Sequence, residues 1–213
     1  MSRDYQRHLP HQVPEGFPIF LTWNLDGAMP AEAIERLQAE RKRLERQPVR
    51  AGETARERRI REGKLLFACA DRILDGARSG PLDLASPEAA KIVENSLLFG
   101  PRERYQLFAW CVMANHVHTL LTPRWELKKV TQGIKGYTAH VINGIIGRRG
   151  QRFWQDESYD HWARDEEEMH RIIQYIENNP VAAGLRERAE DWPWSSARLR
   201  SSWPAGEPFV PVG

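Results

Sequence analysis

Two runs of apolar, aromatic and β-branched residues, Tyr105–Met113 (YQLFAWCVM) and His116–Thr122 (HVHTLLT), are separated only by Ala114-Asn115. That spacing predicts a β-hairpin, and two strands alone are not stable without further strands and a packed layer. A third strand is at hand near the start, where Pro18–Leu25 (PIFLTWNL) is β-rich and ends at Asp26-Gly27. Helical periodicity fills much of the remainder. From Glu126 to about Ile146, Leu127, Val130, Ile134, Val141, Ile142 and Ile145 recur at helical spacing, and the pattern stops before Gly147. Asp165 can cap another helix, running to Asn179 and stopping at Pro180. Between the two, FWQDESYDHW reads as a loop.

From Pro30 to about Gly80 the pattern is helical and highly charged, with eleven basic and seven acidic residues between Ala31 and Lys64. Ile34, Leu37 and Leu44 mark one helix, and Leu65, Leu66, Ala70 and Ile73 a second, with Arg50-Ala51-Gly52 between them. This reads as an inserted helical hairpin, residues 30–80, serving as scaffold or supplying contacts to DNA. The tail from Trp192 to Gly213 holds Pro193, Pro204, Pro208 and Pro211 and is expected to be mostly irregular. The whole chain, 1–213, is expected to be one domain.

With 41% hydrophobic and 28% charged residues, the chain has the composition of a globular protein. No run reaches the roughly 18–20 apolar residues of a membrane span, and MSRDYQRHLPHQ lacks a signal peptide's apolar stretch, so a cytoplasmic protein is expected. Cys69 and Cys111 are too few for a disulfide framework and read as buried thiols in a reducing compartment. The net charge of +2 excludes little, but its distribution is uneven. Between Arg124 and Arg152 stand Arg124, Lys128, Lys129, Lys135, Arg148, Arg149 and Arg152 against the single acid Glu126. Such a patch can neutralise phosphates, although a solvated helix face has the same composition.

His116 and His118 flank Val117, and alternate side chains of a strand share a face. Two imidazoles converging in this way suit two ligands of one divalent ion; two ordinary histidines fit the pattern as well. On the helix after Asp165, Met169, Ile172, Ile173 and Ile176 form the buried stripe, with Tyr175 and Asn179 outside it, four residues apart. Taken alone, these two also fit a boundary aromatic and a helix C-terminal residue.

Together the clusters carry a resemblance. NHVH (Asn115–His118), followed about sixty residues later by YIENNPVAAGL (Tyr175–Leu185), resembles the HUH single-tyrosine transposases, and most nearly the REP-associated tyrosine transposases of bacteria. RFWQDESYDHWARDEE (Arg152–Glu167), DWPWSSA (Asp191–Ala197) and FLTWNL extend it. Ala114, where relatives often have Pro, and the charged hairpin are departures. The resemblance implies an α+β, ferredoxin-like domain, an antiparallel sheet flanked by helices, here with the charged hairpin inserted. It implies His116, His118 and Asn179 as metal ligands and Tyr175 as the nucleophile.

That chemistry is reasonable for these residue types. A phenol with a pKa near 10 is a weak nucleophile, whereas phosphate bound to a divalent cation is a better electrophile, and nearby cations favour the phenolate. Two imidazoles and an amide oxygen suit Mg²⁺ or Mn²⁺. Attack by Tyr175 would leave a 5′-phosphotyrosine and a free 3′-hydroxyl. Arg148, Arg149 and Arg152 beside Phe153 and Trp154 would combine phosphate neutralisation with base stacking, favouring single-stranded or hairpin DNA; core packing is the other reading of the two rings. The expected function is that of a strand-transferring endonuclease on palindromic repeats. A catalytically silent repeat-binding protein and a water-using metal phosphodiesterase are the alternatives, and monomer and homodimer stay open. Tyr137 and Tyr159 are the competing nucleophiles.

Overall fold

A computed structural model of the chain describes residues 16–77, 80–156 and 158–210. The opening MSRDYQRHLPHQ and the last three residues of the tail lie outside the described residues. In chain order the elements are β1 (Ile19–Asn24), α1 (Ala31–Glu45), α2 (Ala55–Asp75), α3 (Pro87–Phe99), β2 (Tyr105–Val112), β3 (His116–Pro123), α4 (Leu127–Ile145), β4 (Tyr159–Trp162), α5 (Glu166–Glu177) and α6 (Asn179–Ala182).

The two apolar runs pair as the β2–β3 hairpin within one four-stranded sheet of order β2-β3-β1-β4. Each strand is antiparallel to its neighbours. With β1 and β3 central and helical connections leading from β1 to β2 and from β3 to β4, this is the ferredoxin-like arrangement. β4 lies where the sequence reads as a loop; its four half-buried residues complete the edge beside β1.

Alternation along the central strands divides the core in two. Ile19, Leu21 and Trp23 of β1 join Val117 and Leu121 of β3 against Val93 of α3 and Val130, Ile134 and Ile142 of α4. Phe20 and Leu120 face the other way, against Met169, Ile173 and Ile176 of α5. A bulge between Leu107 and Ala109 sets Phe108 and Ala109 both on the α5 side. Ile19, Leu21, Leu107 and Leu121 are at most 1% exposed, and each contributes roughly 1.5–3 kcal/mol by burial. Just past the end of α4, Gly147, at φ 72°, lets Arg148 N close onto the Asn143 carbonyl at 2.8 Å. In the tail, Trp203 and Phe209 pack on Trp110, with ring centroids 5.8 and 5.5 Å away.

α1 and α2 form the inserted hairpin. Gly52, at φ 78°, makes the turn, and Thr54 with Glu57 forms a capping box at the start of α2. The apolar residues of the second helix do not all turn inward, since Leu65 is 44% exposed. The docking face runs through Lys64, Phe67, Asp71 and Leu74, three or four residues apart. Lys64 Nζ donates to Glu168 Oε1 at 2.8 Å, and Phe67 stacks on Tyr159 with centroids 4.0 Å apart. The Leu74 carbonyl accepts from Asn115 Nδ2 at 3.0 Å. Asp165 caps α5 by accepting from Glu168 N at 2.7 Å. The predicted end of α5 at Asn179 moves back to Glu177, because Asn178 caps the helix and Pro180 sits in the first turn of α6. No helix among the described residues is long and apolar enough to cross a membrane.

Glu168 ties α2 to α5 and β4. Burial alone would raise its pKa, but bonds from Lys64, His161 and the Arg164 amide outweigh this and hold it at about 2, below the ordinary 4.5. A carboxylate with a depressed folded pKa stabilises fully above its unfolded value and loses that contribution as pH falls toward the folded one. Glu168→Gln should therefore cost about 1–3 kcal/mol in urea unfolding above pH 5, with the difference from wild type shrinking as pH drops from about 4.5 toward 2. A difference unchanged by acid would show that the carboxylate's charge is not what holds these elements.

Candidate metal and nucleophile site

β1 and β3 pair so that Thr22 faces His118 and Asn24 faces His116, which puts both histidines on the α5 side of the sheet, fully buried. Their orientation is set from behind. Asn115 Nδ2 donates to the Leu74 carbonyl, so Asn115 Oδ1 faces His116 and accepts from its Nδ1–H at 2.7 Å. The lone pair of neutral His116 is thereby left on Nε2. His118 Nδ1 is held at 2.7 Å by Thr22 Oγ1. The two Nε2 atoms then point at each other across 3.0 Å. Burial, with His118 as neighbour, lowers the His116 pKa to about 3, and burial lowers His118 to about 3, so both rings are neutral at pH 7. This is the state in which imidazole ligates a metal.

α2 brings a carboxylate to the same point. Asp71 Oδ1 lies 3.3 Å from His118 Nε2 and 3.9 Å from His116 Nε2. Asp71, His116 and His118 form a buried group able to hold a metal ion. Separations of 3.0, 3.3 and 3.9 Å suit three ligand atoms that share an ion at bonds of about 2.0–2.2 Å. Asp71 Oδ1 and Asn179 Oδ1 are buried and, among the described residues, accept no hydrogen bond. Two such oxygens beside two neutral imidazoles fit a divalent cation.

Tyr175 completes the cluster. Its hydroxyl donates to Asp71 Oδ2, and its ring lies 5.9 Å, centroid to centroid, from His118. Asn179 Nδ2 reaches the same Oδ2 at 3.5 Å. Because the helix breaks at Asn178, Asn179 turns inward to 2% exposure while Tyr175 stays 39% exposed. A cleft of about 810 Å³ between α2 and α5 is lined by Asp71, Asp75, Tyr175 and Asn179, together with Arg72 and Arg171.

The charge around the phenol differs from the expectation of nearby cations. Burial and then the Asp71 carboxylate raise the Tyr175 pKa well above the ordinary phenol value, and Asp75 adds to this. Burial raises Asp71 as well, against the pull of His116, Tyr175 and Asn179, and burial with Asp71 as neighbour brings Asp75 to about 7. Two carboxylates beside neutral histidines make a site that a divalent cation would neutralise.

The expected DNA-binding residues lie elsewhere. α4, with Lys128, Lys129 and Lys135, packs on the opposite face of the sheet. Lys135 Nζ donates to the Gln155 carbonyl at 2.6 Å, and Arg148 pairs with Asp83. Arg152 lies 3.0 Å from Asp156 and 3.8 Å from Asp26, while Arg149 is exposed. Trp154 requires a correction. It is 5% exposed, with its indole N–H bonded to Thr138 Oγ1 at 2.9 Å, and Phe153 is 4% exposed, so both are core rings with no face open to a base. Of the competing tyrosines, Tyr137 is exposed on α4, across the sheet, and Tyr159 stacks on Phe67.

Asp71, Asp75 and Phe67 escaped the sequence reading. Their signal was the spacing Phe67, Asp71, Asp75, four residues apart, which places an aromatic ring and two carboxylates on one helix face.

Residues 98–179 match the family model described as IS200-like transposase, in agreement with the resemblance read from the motifs. Among solved structures, the chain is similar to a REP-associated tyrosine transposase bound to a REP hairpin, at 17% identity and a TM-score of 0.54, with all of both chains covered. It is also similar to a candidate transposase from Deinococcus radiodurans R1, at 16% identity and a TM-score of 0.38, covering 82% of this chain and 98% of that one. No curated protein matches the chain.

Mn²⁺ at a hundredfold excess over its Kd should stabilise the folded chain by about 2.7 kcal/mol, raising Tm by several degrees. His116→Ala/His118→Ala should abolish that rise. An equal rise in the double variant would place the ion elsewhere.

Proposed function

We propose, from the match of residues 98–179 to the IS200-like transposase family, that this chain cuts and rejoins single-stranded or hairpin DNA, with Tyr175 as nucleophile. The observation that carries the reading is the meeting of three elements at one carboxylate: the Tyr175 hydroxyl from α5 and the His116 and His118 Nε2 atoms from β3 all face Asp71. The similarity of the fold to a transposase bound to a REP hairpin supports palindromic repeat DNA as the substrate class.

His116, His118 and Asn179 would hold Mg²⁺ or Mn²⁺, which supplies Lewis-acid polarisation of a phosphate oxygen. The chain's own groups supply the rest. Tyr175 Oη, at the edge of the cleft, attacks phosphorus, and its proton passes to Asp71 Oδ2, which already accepts its hydrogen bond. The P–O3′ bond breaks, the leaving oxygen takes up a proton, and the 5′ phosphate stays esterified to Tyr175. That ester retains the bond energy, so a second 3′-hydroxyl can reverse the step without ATP. Arg72 and Arg171, which line the cleft, would supply positive charge toward the phosphates of a bound strand.

With a hairpin oligonucleotide labelled 3′ of the cut and Mn²⁺ present, wild-type protein should give a labelled band that survives denaturant. Tyr175→Phe should bind the oligonucleotide but form no adduct, while Tyr137→Phe and Tyr159→Phe should form it. Cutting without any adduct would favour the phosphodiesterase that uses water, and binding without cutting the silent DNA-binding protein. In the same assay Arg72→Ala/Arg171→Ala should weaken binding more than Arg148→Ala/Arg149→Ala/Arg152→Ala, and the reverse order would move the DNA to the α4 side.

A further inference from the structure

α2 belongs to the charged hairpin inserted between β1 and α3, yet it buries a carboxylate where the sheet and α5 meet. Asp71 is 3% exposed. A carboxylate taken out of water needs a cation or several strong donors. The nitrogens that approach it among the described residues are His116 Nε2 and His118 Nε2, at 3.9 and 3.3 Å from Oδ1. Its other contacts are the Tyr175 hydroxyl and the Asn179 amide, both on Oδ2. Among the described residues Oδ1 accepts no hydrogen bond, and it is the oxygen that faces the imidazoles. The two oxygens of one carboxylate are thus divided, Oδ1 toward the two imidazole Nε2 atoms and Oδ2 toward the phenol.

The rest of the docking face explains how a helix from an insertion is aimed so closely. Phe67, one turn before Asp71, sits among Phe20, Tyr159 and Tyr175 at centroid distances of 5.3, 4.0 and 6.1 Å. Leu74, almost one turn after it, receives Asn115, the residue that orients His116. The hairpin is therefore part of the shell around the histidines.

Resting on the metal assignment proposed above, we infer that Asp71 is a ligand of the same ion through Oδ1, that its Oδ2 positions the Tyr175 hydroxyl, and that the ion fastens the inserted hairpin to the sheet. A carboxylate added to two imidazoles and an amide makes the site harder and more anionic, which favours Mn²⁺ or Mg²⁺ over softer ions.

The test uses the full chain, with Mn²⁺ titrated by calorimetry and amide hydrogen exchange followed across residues 55–75. Asp71→Asn keeps the side-chain size and removes the charge. It should bind Mn²⁺ at least tenfold more weakly, and the slowing of exchange that Mn²⁺ produces in wild-type α2 should disappear. Lys64→Met, which cuts a different tie of the hairpin, should exchange faster without metal and regain protection with it. Asp71→Asn binding Mn²⁺ as tightly as wild type, or loss of affinity in Asp75→Asn but not in Asp71→Asn, would overturn the assignment. So would Lys64→Met remaining unprotected at saturating Mn²⁺. If His116→Ala/His118→Ala also bound as tightly as wild type, the metal site itself would be wrong, a result distinct from failure of the Asp71 ligand alone.

Discussion

Two imidazoles, fully buried, aim their Nε2 atoms at each other across 3.0 Å. Burial and mutual repulsion forbid charge on both, and two lone pairs facing each other repel unless a proton or a cation lies between them. Much of the surrounding structure serves to hold this arrangement. The β1–β3 register brings Thr22 behind one ring, and the tight turn of the hairpin brings Asn115 behind the other. α5 and α2 close over the pair and add the tyrosine and the carboxylate. The alternation that sends Val117 and Leu121 into the α4 side of the core is the same alternation that sends His116, His118 and Leu120 toward α5.

The electrostatics of the cluster are those of an anionic pocket. A phenol there is harder to ionise than in water, because burial and Asp71 both oppose the phenolate. The same carboxylates that hinder the phenolate attract a divalent ion, and such an ion would shift the balance back. Under the proposed function, a tyrosine held in this way would attack only once the ion is in place. The inserted hairpin would take part in that control, since Asp71, Asp75 and Phe67 all come from α2.

The sheet and the helices over it were legible because their signals are local. The hairpin rests on two apolar runs with a two-residue gap, α4 on a clean helical period, and α5 on a cap at Asp165. The pairing of His116 with His118 followed from strand alternation alone. Tyr175 and Asn179 gained meaning only through the family motif, because a boundary tyrosine and an asparagine before proline are individually ordinary. Asp71 stayed hidden for another reason. Its partners are 45, 47 and 104 positions away in the sequence, at His116, His118 and Tyr175, and its own helix reads as a solvated, charged hairpin. Trp154 was misjudged because a tryptophan beside arginines looks the same whether it stacks on bases or fills a core. β4 was missed because four half-buried residues on a sheet edge leave too short a pattern to detect.

The account stands on one ion binding where β3, α5 and α2 meet. A crystal grown with Mn²⁺ and measured at the manganese absorption edge tests this directly. The account predicts one anomalous peak within about 2.3 Å of the Nε2 atoms of both His116 and His118, with the Tyr175 hydroxyl beside it. A structure with Mn²⁺ present at saturating concentration and no peak between the two imidazoles, or with the peak bound only to surface carboxylates, would contradict it.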